Sequence, residues 1–536
     1  MSIASNHIIE PGPDRASQRG KFTVLLTASL VSSLIMLDSN VVAVSLPAIG
    51  RSLAASFTAI QWVISAYVLT YAALLLAAGS YADLHGRRKA MLIGLVVFAC
   101  ASGACGIATT SLALNLARGV QGVGGAFLLT ASLAIISAEF TGEQRAGAFA
   151  FWGASLGIAL ATGPIIGGAI TDAFGWRWIF LVNVPVCGLL IAATLRFIAE
   201  SRDPAAKQLD FTGIVTFSLG LGLLVWALID GNDDGWLSIG VVLRLTAALA
   251  LFAVFLLAEL RRPRPMVDLA LFRRRTLVGA VLAMIGYGAG AQVMVFFLPS
   301  FLQNAYGYEP LAAGVAMLPF AAPMVLAPRL TSILARRYSG RALLTLGLTI
   351  TAAGDLLFWA IAHAQLSYGA FVVAMLVAGS GAGLLNGQTV KVLGGAVPQD
   401  RAGMASGLAS TTRFIGILIS VAGMGAVLSL VVRQTFDTAA IKVGLNPATA
   451  IAAAKRVTAG DLSATLGTFP AEMRSALHAA GQASFADGFA AASLLAAAVA
   501  LAAALLTLWL VGAEDTAPSQ AETKRPCKFI DCRDPL

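Results

Sequence analysis

Two charged residues interrupt long apolar segments, at positions where they could carry a proton or hold an ion pair. Asp38 lies in the apolar run 22–49, and Arg118 lies in the run 112–136. A charge inside a membrane segment is costly unless it is paired or hydrated, so such a residue is functional by default. A carboxylate that leaves its arginine partner when it takes up a proton would couple proton binding to a change of conformation.

Helix geometry places Asp38 and Arg118 at a similar depth. Asp38 follows Phe22 by 16 residues, or about 24 Å along a hydrocarbon core of roughly 30 Å. Arg118 lies about six residues, or about 9 Å, inside the expected outer end of its helix. The two side chains can therefore meet in the outer third of the membrane if their helices are adjacent. The alternative is a static buried pair that only fixes helix packing.

Two further charges lie near the membrane midplane in the second half of the chain. Asp355 is about 18 Å into the run 343–362, and Arg413 is about 16 Å into the run 402–432. They could neutralise each other, or Asp355 could bind a cationic substrate. We expect a structural or paired role for Asp355.

Four uncharged residues are candidates for lining a central cavity. Trp62 and Tyr67 flank the outer end of the second apolar run, and Gln292 and Asn386 are polar residues in apolar runs. Each amide could line the cavity or only bond a backbone carbonyl. Tryptophan and tyrosine near helix ends are usually interfacial anchors, so the aromatic pair is open to both interpretations.

The elements that must carry these residues are membrane helices. Of the 536 residues, 58% are apolar and 12% are charged. Soluble domains have about 25% charged residues, so a series of soluble domains is excluded. A transmembrane β-barrel would give a weaker hydropathy signal. The sequence predicts an all-α polytopic membrane protein, in which the net charge of +9 concerns sidedness rather than nucleic acid.

A membrane-spanning helix needs about 20 apolar residues, and fourteen runs of this kind follow one another. The first run is too long for a cleaved signal peptide and is interpreted as an anchor. The predicted spans are 22–49, 62–82, 90–108, 112–136, 147–170, 178–197, 211–230, 237–258, 277–300, 311–328, 343–362, 368–390, 402–432 and 485–510.

Basic residues alternate between the two sides of this series of helices. The short loops of one side hold little more than Arg51 and Arg177. Since cytoplasmic loops carry the excess of Lys and Arg, the pattern predicts an even number of spans with both termini cytoplasmic. The residues on the expected inner side are Arg87, Arg88, Lys89, Arg145, Arg202, Lys207, Arg261, Arg262, Arg264, Arg273, Arg274, Arg275, Arg336, Arg337, Arg341, Arg401, Lys524 and Arg525.

The seventh and eighth spans form a hairpin between two groups of six spans, a 6+2+6 arrangement. They flank the acidic turn 230–236, which has no basic residue, and Arg244 is expected either to snorkel toward the membrane surface or to pair with this turn. The predicted parts are a cytoplasmic tail 1–21, an N-terminal six-helix bundle 22–200, an inserted hairpin 201–262, a C-terminal six-helix bundle 263–511 with a partly helical external segment 433–484, and a cytoplasmic tail 512–536.

The turn after the second span contains Asp83, Gly86 and Arg87 and is predicted to act at the inner face. Gly86 permits the chain reversal. Asp83 is expected to accept hydrogen bonds from a neighbouring helix N-terminus, and Arg87 is expected to pair with Glu139 or Glu143. A plain positive-inside loop is the alternative, but it would leave the acid and the glycine unexplained.

The fifth span carries small residues and a proline, namely Gly157, Gly163, Pro164, Gly167 and Gly168. Small residues let membrane helices approach closely, and a proline favours a bend. The composition predicts a thin, bendable helix packed on its neighbours, with a structural role for most of the glycines.

These segments resemble signatures of the major facilitator superfamily. The turn at Asp83 looks like its inner-loop signature, the segment at Arg118 looks like its fourth-helix arginine motif, and 157–168 looks like the fifth-helix motif associated with exporters. The segment 37–47 is similar to the first-helix signature of the 14-helix drug:proton antiporters (QacA/EmrB-like). Further segments that resemble this family are 176–185 and 402–413.

The resemblance implies a major facilitator fold with 14 helices, in which two bundles rock around a central site to give alternating access. It also implies proton-driven export of amphipathic, cationic or lipophilic compounds. In this interpretation Asp38 carries the proton, Arg118 is its partner, and Asp83 with Arg87 latches the inner face. The expected partners are drug-like small molecules, protons and membrane lipids. We expect a monomer in a bacterial inner membrane, without cofactor, metal or nucleic acid.

Part of the second half departs from this family pattern. The run 328–341 is a worn copy of the inner turn and has no acid at the matching place, so the two halves are not expected to gate identically. The copy nevertheless supports an internal repeat, which such transporter folds have.

Two alternative functions remain open. A metabolite uptake permease would have the same fold, and only the fifth-span motif opposes it. A transport-inactive membrane sensor would use 433–484 as its binding module, but unused buried charges would be costly. An enzyme is not expected, because the sequence has no G-x-x-x-x-G-K-[ST] phosphate loop and its four histidines do not cluster.

Overall fold

The computed structural model describes residues 15–202, 211–261, 268–398, 402–460, 462–467 and 469–512. Parts of both predicted tails, 1–14 and 513–536, lie outside the described residues. The same holds for the junctions of the predicted hairpin, 203–210 and 262–267, and for the side chain of Glu143.

Every regular element in the described part of the chain is helical. The α-helices are α1 (Arg15–Leu53), α2 (Phe57–His85), α3 (Arg87–Ile107), α4 (Ser111–Glu139), α5 (Gly142–Phe174), α6 (Trp178–Leu181), α7 (Asn183–Phe197), α8 (Phe211–Asp234), α9 (Ile239–Arg261), α10 (Arg275–Tyr287), α11 (Val293–Tyr306), α12 (Pro310–Ala316), α13 (Leu318–Leu334), α14 (Gly340–His363), α15 (Tyr368–Gly395), α16 (Ala402–Lys442), α17 (Pro447–Thr458), α18 (Leu462–Gly467) and α19 (Ala471–Leu510).

Fourteen helical stretches are long and apolar enough to cross a membrane, which confirms the predicted number. Three of these spans are composite. One joins α6 to α7, one joins α12 to α13, and one joins α10 to α11 through a π-helical turn at Gly288–Gln292, called the π-turn below. A short 3₁₀ helix at Leu269–Arg273 precedes α10.

In the first half of the chain, α4 is the central packing element. Both α2 and α3 pack along α4, while α1 packs on α5 and α4. Small residues on α4 allow this closeness, since a Cβ atom on Gly122 would overlap the carbonyl oxygen of Tyr67 on α2. The packing therefore brings the helices of Asp38 and Arg118 side by side.

In the second half, α14 packs against α15 and α19, and α16 packs against α19 and α10. The span formed by α10 and α11 is the most buried of the fourteen. Its π-turn contacts α16 on one side and α14 on another.

The two helices of the predicted hairpin, α8 and α9, pack on each other, and α8 also contacts α2 and α16. Asp233 near the end of α8 accepts a hydrogen bond from Thr58 on α2 and an ion-pair contact of 2.7 Å from Arg433 on α16. Arg244 pairs with Asp230 at 3.0 Å, as the sequence led us to expect. One end of the hairpin is thus tied to both halves of the chain.

The halves also meet directly near the same end of the molecule, which is the expected outer end. Gln303 on α11 donates to the carbonyl oxygen of Val44 on α1 at 2.7 Å, and the backbone N–H of Leu311 donates to Asp172 on α5 at 2.9 Å. These contacts close the two halves against each other there.

The described residues of 433–484 are largely helical, whereas the sequence predicted a partly helical segment. This segment consists of the end of α16, the short helices α17 and α18, and the start of α19. Its position outside the membrane, like the cytoplasmic position of both termini and the bundle boundaries, stays a prediction.

Candidate functional site

Asp38 and Arg118 form a fully buried ion pair between α1 and α4. Arg118 Nη1 lies 2.6 Å from Asp38 Oδ2, and each side chain is only 1% exposed. Their similar depth was predictable because the helical rise per residue is nearly constant.

Further polar side chains complete the coordination of the carboxylate. Its second oxygen, Oδ1, accepts hydrogen bonds from Gln121 Nε2 at 3.0 Å and from Asn183 Nδ2 at 2.8 Å. Ser102 on α3 links these two donors, since its hydroxyl lies 2.6 Å from Gln121 Nε2 and 3.3 Å from Asn183 Nδ2. The charged form of Asp38 is therefore held by donors from α4 and α7 as well as by the arginine.

The guanidinium of Arg118 also has further partners. Its Nε donates to the carbonyl oxygen of Val63 at 3.0 Å, and Nη1 also donates to Gln121 Oε1 at 2.6 Å. The ring of Tyr67 covers it at 4.1 Å, which adds a cation–π contact. Protonation of Asp38 would leave this buried cation without its counter-charge, and an uncompensated buried charge is strongly destabilising.

Gln121, Asn183 and Ser102 were not predicted from the sequence as site residues. A signal for them exists: each is a polar residue inside an apolar span, and Gln121 lies one helical turn after Arg118. Tyr67, predicted as either lining residue or anchor, lies on the arginine. Trp62 is half-buried against the hydrophobic core.

An apolar crevice of about 370 Å³ reaches this site from the outside of the bundle. It lies between α1, α5 and α7, and Asp38 and Asn183 are among its lining residues. Exposed leucines such as Leu30 and Leu189 form its rim. A molecule that approaches the Asp38 carboxyl through this crevice therefore passes mainly apolar side chains.

A second polar cluster surrounds the π-turn. Gln292 Oε1 accepts hydrogen bonds from Arg413 Nε at 3.1 Å and Nη2 at 2.9 Å, and Gln292 Nε2 donates to the Tyr287 hydroxyl at 2.8 Å. That hydroxyl donates to Asn386 Oδ1 at 3.3 Å. Gln292, Asn386 and Arg413 are thus brought together, and Tyr287 is a member that the sequence analysis missed.

Asp355 does not belong to this cluster, so the suggested neutralisation of Asp355 by Arg413 is wrong. The side chain is 0% exposed, and neither carboxyl oxygen has a hydrogen-bond partner among the described residues. Equal depth was insufficient here because it does not fix the direction in which each side chain leaves its helix.

At the turn between α2 and α3, Arg87 pairs with Asp83 at 3.0 Å. The predicted partner Glu139 makes no contact with it. Asp83 also does not cap a neighbouring helix, because Glu200 takes that role: its carboxylate accepts from the backbone N–H groups of Arg88 and Lys89, each at 3.1 Å. Glu200 was not predicted from the sequence as part of this turn, although it follows the sixth predicted span on the side of the basic turn.

Gly86 is required at this turn for two reasons. Its φ is +117°, a backbone conformation that residues with a side chain rarely adopt, and a Cβ atom there would lie 2.6 Å from the Glu200 carboxyl carbon.

The small residues of α5 serve close helix contacts. A Cβ atom on Gly163 or Gly167 would lie within 2.8 Å of α1, and one on Gly168 would lie 2.5 Å from the carbonyl oxygen of Pro310 at the start of α12. The carbonyl of Pro164 lies against Gly314 in the same way, whereas Gly157 faces open space. The helix thus fits tightly against both halves of the chain at the expected outer end.

Two groups of membrane helices that are closed at one end, with buried charges held between helices, characterise a secondary transporter. The model of the Major Facilitator Superfamily matches residues 28–421, and this chain belongs to that superfamily.

Several relatives share most of their length with this chain. Multidrug resistance protein Stp of Mycobacterium tuberculosis is 36% identical over 420 residues, covering 78% of each chain. The multidrug efflux pump LfrA of Mycolicibacterium smegmatis is 31% identical, covering 92% of this chain and 97% of its own. The tetracenomycin C resistance and export protein of Streptomyces glaucescens is 30% identical, covering 92% and 93%. With fourteen apolar helices and such relatives, this is a multi-pass protein of a bacterial inner membrane.

Solved structures show the same fold at low sequence identity. An inward-facing, occupied bacterial homologue of the human lysosomal transporter Spinster is 18% identical with a TM-score of 0.60, covering 92% of this chain and 97% of that chain. A D-xylose–proton symporter is 14% identical with a TM-score of 0.60, covering 92% and 98%.

Proposed function

We propose that this chain is a proton-coupled multidrug efflux transporter that exports amphipathic, cationic or lipophilic compounds by alternating access. The names of its relatives support drug export. Support for proton coupling comes from one observation: Asp38 is a buried carboxylate held by Arg118, Gln121 and Asn183 at the contact of three membrane helices.

Proton exchange at Asp38 drives the conformational cycle. In the arrangement described, the expected outer end is closed and the ionised carboxylate joins α1 to α4 and α7. A proton taken up from the outside while the outer end is open removes the charge that Arg118 neutralises, so the joint weakens and the helices rearrange to close the outer end. Release of this proton to the cytoplasm re-forms the joint, and the unprotonated transporter then carries substrate outward as the outer end opens again. An inward proton gradient thereby drives outward movement of substrate.

The inner turn acts as the second gate. Asp83, Gly86 and Arg87 hold the reversal between α2 and α3, and Glu200 fixes the start of α3. The basic residues at this end support its cytoplasmic position and that of both termini. The transporter works as a monomer, with membrane lipids around its apolar surface.

Efflux in everted membrane vesicles tests this function. Vesicles from cells with the chain should accumulate a lipophilic cationic dye such as ethidium when acidified inside, and Asp38→Asn should lower the rate at least tenfold. Asp487→Asn on α19 is the matched control, since Asp487 is a half-buried acid outside the site, and it should retain the wild-type rate.

The alternatives give different results in the same vesicles. Dye or metabolite movement in the opposite direction would indicate an uptake permease. If the protein is present in the membrane but no gradient-driven flux is found for a panel of cationic and lipophilic compounds, the proposed transport function is contradicted. A sensor that uses 433–484 should lose its response when this segment is deleted, whereas a transporter should retain substantial flux.

A further inference from the structure

α14 contains a carboxyl group that the exchange at Asp38 does not use. Asp355 is 0% exposed, and both of its carboxyl oxygens lack hydrogen-bond partners among the described residues. Asp38, by contrast, accepts hydrogen bonds from three side chains. An ionised carboxylate without partners is far more costly to bury than a neutral acid, so Asp355 carries a proton in this arrangement.

The carboxyl group of Asp355 faces the π-turn. A Cβ atom on Gly290 would lie 3.3 Å from Asp355 Oδ2, 2.9 Å from Thr351 Cγ2 and 3.2 Å from Ala500 Cβ. In the part of the chain that the structure describes, no titratable or charged side chain on α14, or on the helices packed against it, bonds Asp355. These side chains are Arg341 and His363 on α14, Arg275 and Tyr287 on α10, Tyr368 and Lys391 on α15, and Glu472, Arg474, His478 and Asp487 on α19.

The other side of the π-turn carries an arginine without an acid. Arg413 on α16 is held by Gln292 and lies 5.5 Å from the ring of Tyr287, and no carboxylate pairs with it among the described residues. The second half of the chain therefore keeps an acid and a guanidinium on different faces of one irregular helical turn, whereas the first half keeps them in contact. π-helical turns inside α-helices occur frequently at functional sites.

We propose that Asp355 is a second proton-binding site of the transporter, which is neutral in the outer-closed state and loses its proton when the π-turn rearranges. The inference rests on the proposed function. In the release step the Asp355 O–H bond breaks, the proton passes to water in the opened cavity, and the carboxylate remains.

The π-turn is suited to this coupling because it can change shape at low cost. It contains Gly288, Ala289 and Gly290, and a return to regular helical pairing would rotate Gln292 and its hydrogen bond to Arg413 relative to Gly290. The missing side chain at Gly290 is what lets the carboxyl lie against the turn, so a shift of the turn changes the surroundings of Asp355 directly.

Infrared spectroscopy of the full-length protein tests whether Asp355 holds a proton. A protonated carboxyl in apolar surroundings should give a carbonyl band that wild type shows at neutral pH, Asp38→Asn retains and Asp355→Asn lacks. Thr351→Val, one turn away on α14, removes a buried polar group without a carboxyl and should keep the band. If Asp355→Asn leaves the spectrum unchanged, the inference is overturned.

The coupling is tested by the pH dependence of the conformation, without any substrate. Spin labels at Gly147→Cys on α5 and Leu330→Cys on α13, in a background without native cysteines, report opening at the expected inner end in lipid nanodiscs. Two coupled protons change the population ratio by up to about a hundredfold per pH unit, and one proton by about tenfold. Asp355→Asn should reduce the steepness to the one-proton value, and Thr351→Val should not.

The result distinguishes this inference from the proposed function. An unchanged pH response in Asp355→Asn would show a static neutral acid and overturn the inference, even if drug efflux is observed. A reduced steepness would support the inference even if the compounds tried for efflux are not transported. Asp355→Glu, which keeps an acid, should retain the band and the steep response, and it decides the question if the asparagine variant does not fold.

Discussion

Asp38 and Arg118 form one hydrogen-bonded cluster with their neighbours, because both carboxyl oxygens of Asp38 and the Nε and Nη1 atoms of Arg118 have partners. Arg118 donates hydrogen bonds to Asp38, Gln121 and the Val63 carbonyl oxygen at the same time. Only a planar guanidinium has donors arranged for three such contacts, and a lysine ammonium at the end of a flexible chain does not.

Arg118→Lys should therefore lower dye efflux in everted vesicles at least tenfold, although the positive charge is retained. The equivalent change at Arg244, which pairs with Asp230 at the end of the hairpin, should leave more than half of the rate. Equal rates for Arg118→Lys and wild type would show that charge alone suffices at this position.

The sequence predicted the Asp38 pair but not the surroundings of Asp355, and geometry explains the difference. The rise per residue gives depth, whereas the direction of a side chain depends on how each helix is rotated in the bundle. Arg118 faces α1, while Asp355 faces the π-turn and Arg413 lies beyond it. The π-turn itself has no clear signal in the sequence, since a run of glycine and alanine is also compatible with regular helix.

The turn between α2 and α3 shows how one acid fixes the start of a helix. Glu200 accepts two backbone hydrogen bonds at the N-terminus of α3, and the side chain of Arg88 donates to the Leu195 carbonyl at 2.7 Å. The loop thus ties α3 to the end of α7 as well as to α2.

Glu200→Ala should destabilise the protein by about 1 kcal/mol, the usual cost of losing a helix cap. The measurement is the thermal unfolding midpoint in detergent, and Glu139→Ala, which removes an exposed acid, is the matched control. A midpoint for Glu200→Ala equal to that of the control would contradict the capping role.

Gly86→Ala should be more damaging, because it combines a left-handed backbone with contact to Glu200. The backbone term alone amounts to about 1–2 kcal/mol. Its unfolding midpoint should fall below that of Glu200→Ala, and the double variant should recover part of the loss, since the clash is then removed. If the double variant shows no recovery, the loss of stability in Gly86→Ala comes from the backbone conformation alone and not from contact with Glu200.

The hairpin helix α8 is placed to control closure at the expected outer end. Asp233 contacts Thr58 on α2 and Arg433 on α16, so it bridges the halves that must separate when this end opens. The acidic turn was visible in the sequence, but its partners were not, because they come from distant parts of the chain.

Asp233→Asn should therefore favour opening. A cysteine introduced at Val44, which is buried under Gln303, should react faster with a water-soluble maleimide in Asp233→Asn than when Val44→Cys alone is present in the background without native cysteines. Asp234→Asn, which removes a more exposed neighbouring acid, should not change the rate. Equal rates in both variants would exclude Asp233 as a closing contact.

Taken as a whole, the molecule combines an intact ion pair in one half with separated charges in the other, while its outer end is closed. The number of spans followed from hydropathy alone, because each span needs a continuous apolar run. Hydropathy does not predict the contact between the halves through α1, α5, α11 and α12, because this contact depends on close approaches such as that of Gly168 to Pro310.

Proton flux measured together with substrate efflux tests the central claim most directly. In proteoliposomes of the full-length protein with a pH-sensitive dye inside, outward transport of ethidium by wild type should be accompanied by proton entry. Asp38→Asn should reduce this proton flux at least tenfold while ethidium still binds, because the ion pair with Arg118 can no longer form and break. A proton flux in Asp38→Asn equal to that of wild type at the same ethidium concentration would contradict the account.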